Sequence, residues 1–280
     1  MSKGKSAEEK YYTVIEASSP WKPFDFKEIL RYKDMLYFKI LNGYKAQMKQ
    51  TVLGYFWVFF EPVFNVLFFS LVFGSIVKIN TGEIPYVIFN ATAVLGWGFF
   101  SACMNGGIGS LLNESSIIQK IYFPRIFIPL IPSIIKLPDF LFQFILTLIL
   151  MAFFGFYPGV QIFLIIPILL IMMIYGFSIG LLLSTLVLQY KDVNKFWGYF
   201  MRFYIYAVPL AYPLTTIPQK YKWLFLLNPG AALIESFRGA LIGTHIPWTY
   251  LGVSLIISLI LLYVSAVFFR IREPNIVDTL

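Results

Sequence analysis

Six stretches of this chain are apolar over a length that can cross a lipid bilayer, at residues 53–77, 85–111, 126–156, 162–188, 196–213 and 248–269. A spanning helix needs about 20 mostly apolar residues. Lipid as the solvent leaves few architectures open, because every backbone N–H and C=O within it must be satisfied inside the protein. The composition agrees with that reading: 59% of the 280 residues are apolar and only 13% are charged. The expected fold is an all-α integral membrane protein with six transmembrane helices.

The basic residues orient it. Ten Lys/Arg lie within residues 1–50, followed by Lys120, Arg125, Lys191, Lys195, Arg202, Arg270 and Arg272 on the same predicted side. Lys78, Lys220, Lys222 and Arg238 fall on the other side, and Lys136 lies inside a span. Basic loops stay cytoplasmic, and the first fifty residues lack the apolar core of a signal peptide. A multi-pass protein of the plasma (inner) membrane with both termini in the cytoplasm is predicted.

The chain divides into a polar tail at 1–24, an amphipathic interfacial helix at 25–50, a six-span domain at 51–270 and a cytoplasmic tail at 271–280. In the second piece Phe26, Ile29, Leu30, Tyr37, Ile40, Leu41, Tyr44 and Met48 recur at helical spacing. That pattern fits either a surface anchor or a flap bordering a channel mouth. Between the second and third spans, Ser116 and Gln119 form a capping-box pattern, and Ile117, Ile118, Ile121 and Tyr122 share one helical face. Such a face suits docking into a partner's groove or packing on the membrane surface. Before the last span lie two apolar pieces too short to cross, 224–227 and 231–242, separated by Asn228-Pro229-Gly230. They read as short re-entrant helices forming an exit cap, with Glu235 and Arg238 three apart and able to pair.

Three ionisable residues, Glu61, Lys136 and Asp139, fall inside spans. Charges in hydrocarbon are costly and face the protein interior or a water-filled path. Lys136 and Asp139 at i, i+3 are expected to pair beside a polar cavity, where Pro129, Pro132 and Pro138 kink the helix. Tyr199, Tyr204 and Tyr206 crowd the fifth span, and with Phe203 and Trp57 they are candidates to line a channel for a ring-shaped polar solute. One cysteine and one histidine exclude a disulfide framework and leave no catalytic triad or multi-histidine metal site in view. Gly4-Lys5-Ser6 matches only the tail of a phosphate-binding loop. Gly176 and Gly180 have a spacing that permits close helix contact.

The order of the pieces resembles the permeases of ABC exporters for polysaccharides and polyol phosphates. The resemblance is carried by Lys49-Gln50-Thr51-Val52-Leu53-Gly54-Tyr55-Phe56-Trp57 with Pro62, then Lys120-Ile121-Tyr122-Phe123-Pro124-Arg125, then Tyr190-Lys191-Asp192-Val193. Leu227-Asn228-Pro229 with Arg238, and Arg272-Glu273-Pro274 with Asp278, complete it. The chain departs from the family at Asn42-Gly43 and Gln47-Met48, where charged residues are usual.

The resemblance implies a transport subunit that is not itself an enzyme and has no cofactor of its own. It works as a homodimer with two ABC ATPase subunits that bind ATP and Mg. The cargo is a lipid-linked glycan (O-antigen, capsule or teichoic acid) crossing the membrane, with no nucleic acid involved. Glu114, Ile117, Ile118, Lys120, Ile121, Tyr122, Phe123 and Arg125 would form the coupling helix. Arg31, Tyr37, Tyr44, Lys45 and Lys49 would belong to a gate helix at the substrate entrance, and Asn228, Glu235 and Arg238 to the exit cap. An ABC exporter of a drug or lipid, and a polytopic membrane transferase, are the alternatives.

Overall fold

The computed structural model describes residues 31–49, 56–119 and 124–276. The tail at 1–24 and the start of the interfacial helix lie outside the described residues, as do Lys120, Ile121, Tyr122, Phe123 and Asp278. Every described element is helical. In order they are α1 (Lys33–Lys49), α2 (Phe56–Phe69, continued as a π-helix over Ser70–Ile76) and α3 (Tyr86–Ile108). Two single turns follow, α4 (Ser110–Asn113) and α5 (Ser115–Ile118). Then come α6 (Ile131–Ile135), α7 (Leu137–Phe153), α8 (Ile165–Gln189) and α9 (Asp192–Tyr204). The chain ends with α10 (Gln219–Leu227), α11 (Pro229–Ile242) and α12 (Trp248–Arg272).

Five segments are long and apolar enough to cross a membrane: Phe56–Ile76, Tyr86–Ile108, Arg125–Phe153, Val160–Gln189 and Trp248–Arg272. The fifth expected span, 196–213, does not form one helix. It gives α9, a single 3-10 turn at Ile205–Ala207, and extended chain beginning at Val208. Pro209 explains the break, since a proline pushes the residue before it out of the helical region and cannot donate to the helix ladder. At 1.5 Å per residue, α9 covers about 20 Å, short of the ~30 Å hydrocarbon core. The chain still runs from one end of the bundle to the other across this region. Gln189, just before α9, accepts from Arg272 at the end of α12, and the Ala211 carbonyl accepts from Tyr86, at the opposite end, at 2.7 Å.

The third span is broken as its prolines predict. Arg125–Leu130 is a 3-10 segment, α6 is one turn, and Lys136 separates α6 from α7. The core is built on α3, α8, α11 and α12. Phe100, Met104, Ile168, Met172, Leu181, Phe237 and Phe269 are fully buried within it. Helices α3 and α8 approach each other backbone to backbone. A Cβ on Gly107 would lie 2.6 Å from the Gly180 Cα, and one on Gly176 would lie 2.5 Å from the Cys103 Cβ. The Gly176/Gly180 spacing therefore does mark a helix contact, with backbone against backbone.

Because no flexible side chain can yield there, Gly180→Val is expected to cost at least the ~1–3 kcal/mol typical of core overpacking. Thermal unfolding of the purified chain in detergent checks this, with Gly252→Ala as the control. Gly252 lies in α12 with nothing within 4 Å of the added Cβ, and alanine there is expected to be neutral or slightly stabilising.

Candidate functional site: a polar groove between the helices

A groove of about 300 Å³ runs along α3 between α2, α7 and the chain just after α9. Its floor is one face of α3: Val94, Trp97, Gly98, Ser101, Ala102 and Asn105, which recur at helical spacing. Glu61, Asn65 and Phe69 come from α2, and Asp139, Phe140 and Gln143 from α7, with Lys136 just before it. Ile205 and Leu210 close the end near α9. Glu61, Lys136 and Asp139 thus meet in one place. Lys136 Nζ donates to Asp139 Oδ2 at 3.0 Å, as the i, i+3 spacing predicts. Gln47 of α1 donates to the same oxygen at 3.3 Å. Gln143 Nε2 donates to the Val58 carbonyl at 3.3 Å and ties α7 to α2.

Both helices beside the groove are unfinished. Neither α2 nor α9 has a buried residue. On α2, Phe56, Phe60, Phe64 and Phe68 stack in series with centroid spacings of 5.4, 5.8 and 6.4 Å, and all four are exposed, as is Trp57. On α9 and its following turn, Tyr199, Phe203 and Tyr206 are exposed. Tyr204 is not equivalent to them. Its hydroxyl donates to Asn228 Oδ1 at 2.6 Å, and its ring packs between Trp97 and Phe200. Trp197 Nε1 donates to Asn105 Oδ1 at 2.7 Å and fixes α9 against the groove floor.

At its own end of the bundle, α1 touches the segment between the second and third spans. Lys39 pairs with Glu114, and Arg125 Nη1 donates to the Glu273 carbonyl at 3.2 Å. Ile118 is 6% exposed, in a cluster with Leu111, Ile126, Phe127 and Phe269. It anchors its segment to the body and offers no side chain to a partner. Helix α1 docks differently from its apolar stripe. Tyr32, Met35 and Leu36 pack on that same cluster, and Gly43 sits against Ile135 of α6. Tyr37, at 61% exposure, points away. Arg31 and Lys45 are exposed and Tyr44 is half-buried, while the side chains of Ile117 and Lys49 lie outside the described residues.

Of the three exit-cap candidates, Glu235 and Arg238 form a knot near the opposite end, while Asn228 sits deeper, at the α10–α11 turn against Tyr204. Asn228 caps α11 by accepting from Gly230 N at 3.1 Å, and its amide donates to the Ala207 carbonyl at 3.3 Å. Arg238, only 2% exposed, donates to the Pro209 carbonyl, faces Glu235 Oε2 at 3.4 Å and lies 3.9 Å over the Phe89 ring. One guanidinium thus holds the extended chain after α9. Lys222, Trp223, His245 and Trp248 join Glu235 and Arg238 around a second cavity of about 1020 Å³.

Sequence reasoning missed Asn65, Gln143, Ser101, Asn105 and Trp97. The signal was present: Asn65 follows Glu61 by four residues and Gln143 follows Asp139 by four, which puts amides one turn from each carboxylate.

The chain matches the family described as ABC-2 type transporter over residues 38–242. It is 26% identical to an O-antigen export system permease protein of Klebsiella pneumoniae, over 88% of this chain and 92% of that protein. A permease of the same name from Myxococcus xanthus is 22% identical over 91% and 98% of the two chains. The polysialic acid transport protein KpsM of Escherichia coli is 22% identical over 83% and 91%.

Removing the Arg238 guanidinium leaves Glu235 and the Pro209 carbonyl without their partner, and breaking a buried pair costs about 3–5 kcal/mol. Arg238→Ala is expected to lower thermal stability in detergent sharply. The double variant Arg238→Met/Glu235→Leu is expected to regain part of the loss. Equal losses in the two variants would mean that the hydrogen bond to Pro209, not the ion pair, holds the knot.

Proposed function

Because the chain belongs to the ABC-2 type transporter membrane family, we propose that it is the permease subunit of an ATP-driven polysaccharide exporter. Two copies form the path for a lipid-linked glycan leaving the cytoplasm across the plasma membrane. The observation that carries this reading is the open groove with Glu61 exposed in its wall. Glu61 sits inside a helix long enough to span and has no ion pair or side-chain hydrogen bond among the described residues. A carboxylate at that position demands water. The flanking faces of α2 and α9 are aromatic and unburied, which suits closure by a second copy about a twofold axis. Aromatic faces also pack on the C–H faces of sugar rings while hydroxyls reach the polar floor.

The energy comes from a separate pair of ATPase subunits that hold ATP and Mg²⁺, and the permease performs no chemistry. The α1 end faces the cytoplasm, by the distribution of basic residues. There the segment 114–125 receives the ATPase movement. Lys39–Glu114 and Gln47–Asp139 tie α1 both to that segment and to the groove, so a shift of one end alters the other. The α10–α11 hairpin dips back into the membrane from the outer side and gates the exit. Its turn at Gly230 lies against Phe100, which is about 21 Å along α3 from Tyr86 at 1.5 Å per residue.

The test uses the chain co-expressed with its ATPase and reads polysaccharide at the cell surface. The purified permease alone is expected to hydrolyse no ATP. Ile121→Asp and Phe123→Asp are expected to insert normally, to leave ATP hydrolysis running and to abolish export. Placing an acid in an apolar docking groove exceeds the ~2–7 kcal/mol cost of an unpaired polar group. Normal export by both variants would reduce the segment to a simple turn. Surface polysaccharide unchanged on deletion of the permease would remove the whole reading.

A further inference from the structure

The charges of the groove narrow the class of glycan it accepts, if the groove is the export path. Its lining carries two carboxylates, Glu61 and Asp139, against one ammonium, Lys136. That ammonium is committed to Asp139 at 3.0 Å. Asp139 is only 6% exposed, and its Oδ1 is buried with no hydrogen-bond partner. Glu61 is exposed and unpaired among the described residues. Asn65 and Gln143 stand one helical turn beyond each carboxylate, with Ser101 and Asn105 on the floor and the Trp97 ring beside them. The nearest cations on α9, Lys195 and Arg202, do not line the groove, and Arg202 rests 5.6 Å from the Tyr199 ring.

We propose that the groove wall at Glu61, backed by the buried charge of Asp139, is a hydroxyl-binding subsite for uncharged or amino-substituted sugar residues, and that it rejects polyanionic glycans. A carboxylate accepts from sugar hydroxyls through charge-assisted hydrogen bonds, and primary amides supply both donors and acceptors to the rest of the ring. A carboxylated or phosphorylated sugar would add a third negative charge against one committed ammonium. Between apolar helix walls that repulsion is less screened than in bulk solution.

The experiment uses the full chain with its ATPase in membranes and a Ser101→Cys variant, with Asn105→Cys as a second reporter. The native Cys103 is fully buried, and the unsubstituted chain serves as the blank. Labelling rates are compared for a cationic and an anionic methanethiosulfonate of similar size, each normalised to a free thiol. A lining of this sign raises the local concentration of cations. The expected ratio is about tenfold or more in favour of the cationic reagent, falling at least threefold in Glu61→Gln. Maltohexaose is expected to slow labelling, and a sialic acid hexamer is not.

Labelling without charge preference, or protection by the sialic acid hexamer instead, overturns the subsite and leaves the exporter reading standing. Failure of both cysteines to react during active export removes the groove as a path, and the subsite with it.

Discussion

The backbone contact between Gly107 and Gly180 sets the geometry on which everything else depends. With two glycines face to face, α3 and α8 touch closely enough to bury Cys103, Met104, Met172 and Leu181 around them. In lipid no hydrophobic force draws helices together, and close van der Waals packing through small residues takes its place. That contact commits one face of α3 to the core. The opposite face, with Gly98, Ser101 and Asn105, is left as the floor of the groove. One helix thereby serves two solvents, with its packed side dictated by glycine and its open side by small polar groups.

Much of this was legible in the sequence. The apolar runs located five spanning helices, and the i, i+3 spacing of Lys136 and Asp139 foretold their pairing, as did that of Glu235 and Arg238. The prolines around residue 132 announced the broken third span. The fifth apolar run misled because hydropathy counts side chains and ignores the backbone. Pro209 ends the helical path that the run suggests, and Arg238 and Tyr86 satisfy the carbonyls of Pro209 and Ala211, which lack helical partners, from distant positions. No local pattern could reveal partners that far apart in the chain.

The apolar stripe of α1 misled for a related reason. Periodicity finds an amphipathic face but not what covers it. Tyr37 belongs to the stripe and points away from the body, whereas Gly43, which no hydrophobic scale would choose, makes the tight contact with Ile135. Lys39 and Gln47 fall outside that stripe. They carry the contacts to Glu114 and Asp139 that fix the helix in place. A polar residue on an amphipathic helix is ambiguous until its partner is known.

Tyr204 and Tyr206 show how such ambiguity bears on transport. Two residues apart, they sit where the helix gives way to a 3-10 turn, and their environments diverge. The Tyr204 hydroxyl joins α9 to the α10–α11 turn through Asn228, and its ring packs behind Trp97 of the groove floor. Tyr206 is 71% exposed, and its carbonyl accepts from the Tyr212 hydroxyl at 2.8 Å. Loss of the Tyr204 hydroxyl would therefore loosen the hairpin while leaving the aromatic face in place. Loss of the Tyr206 ring would remove a contact surface without touching the hairpin. In the proposed exporter the first residue acts on opening and the second on the grip of the path. A phenol that can be spared for stacking is then distinguished from one that cannot by its hydrogen bond, since both are tyrosines in the same apolar run.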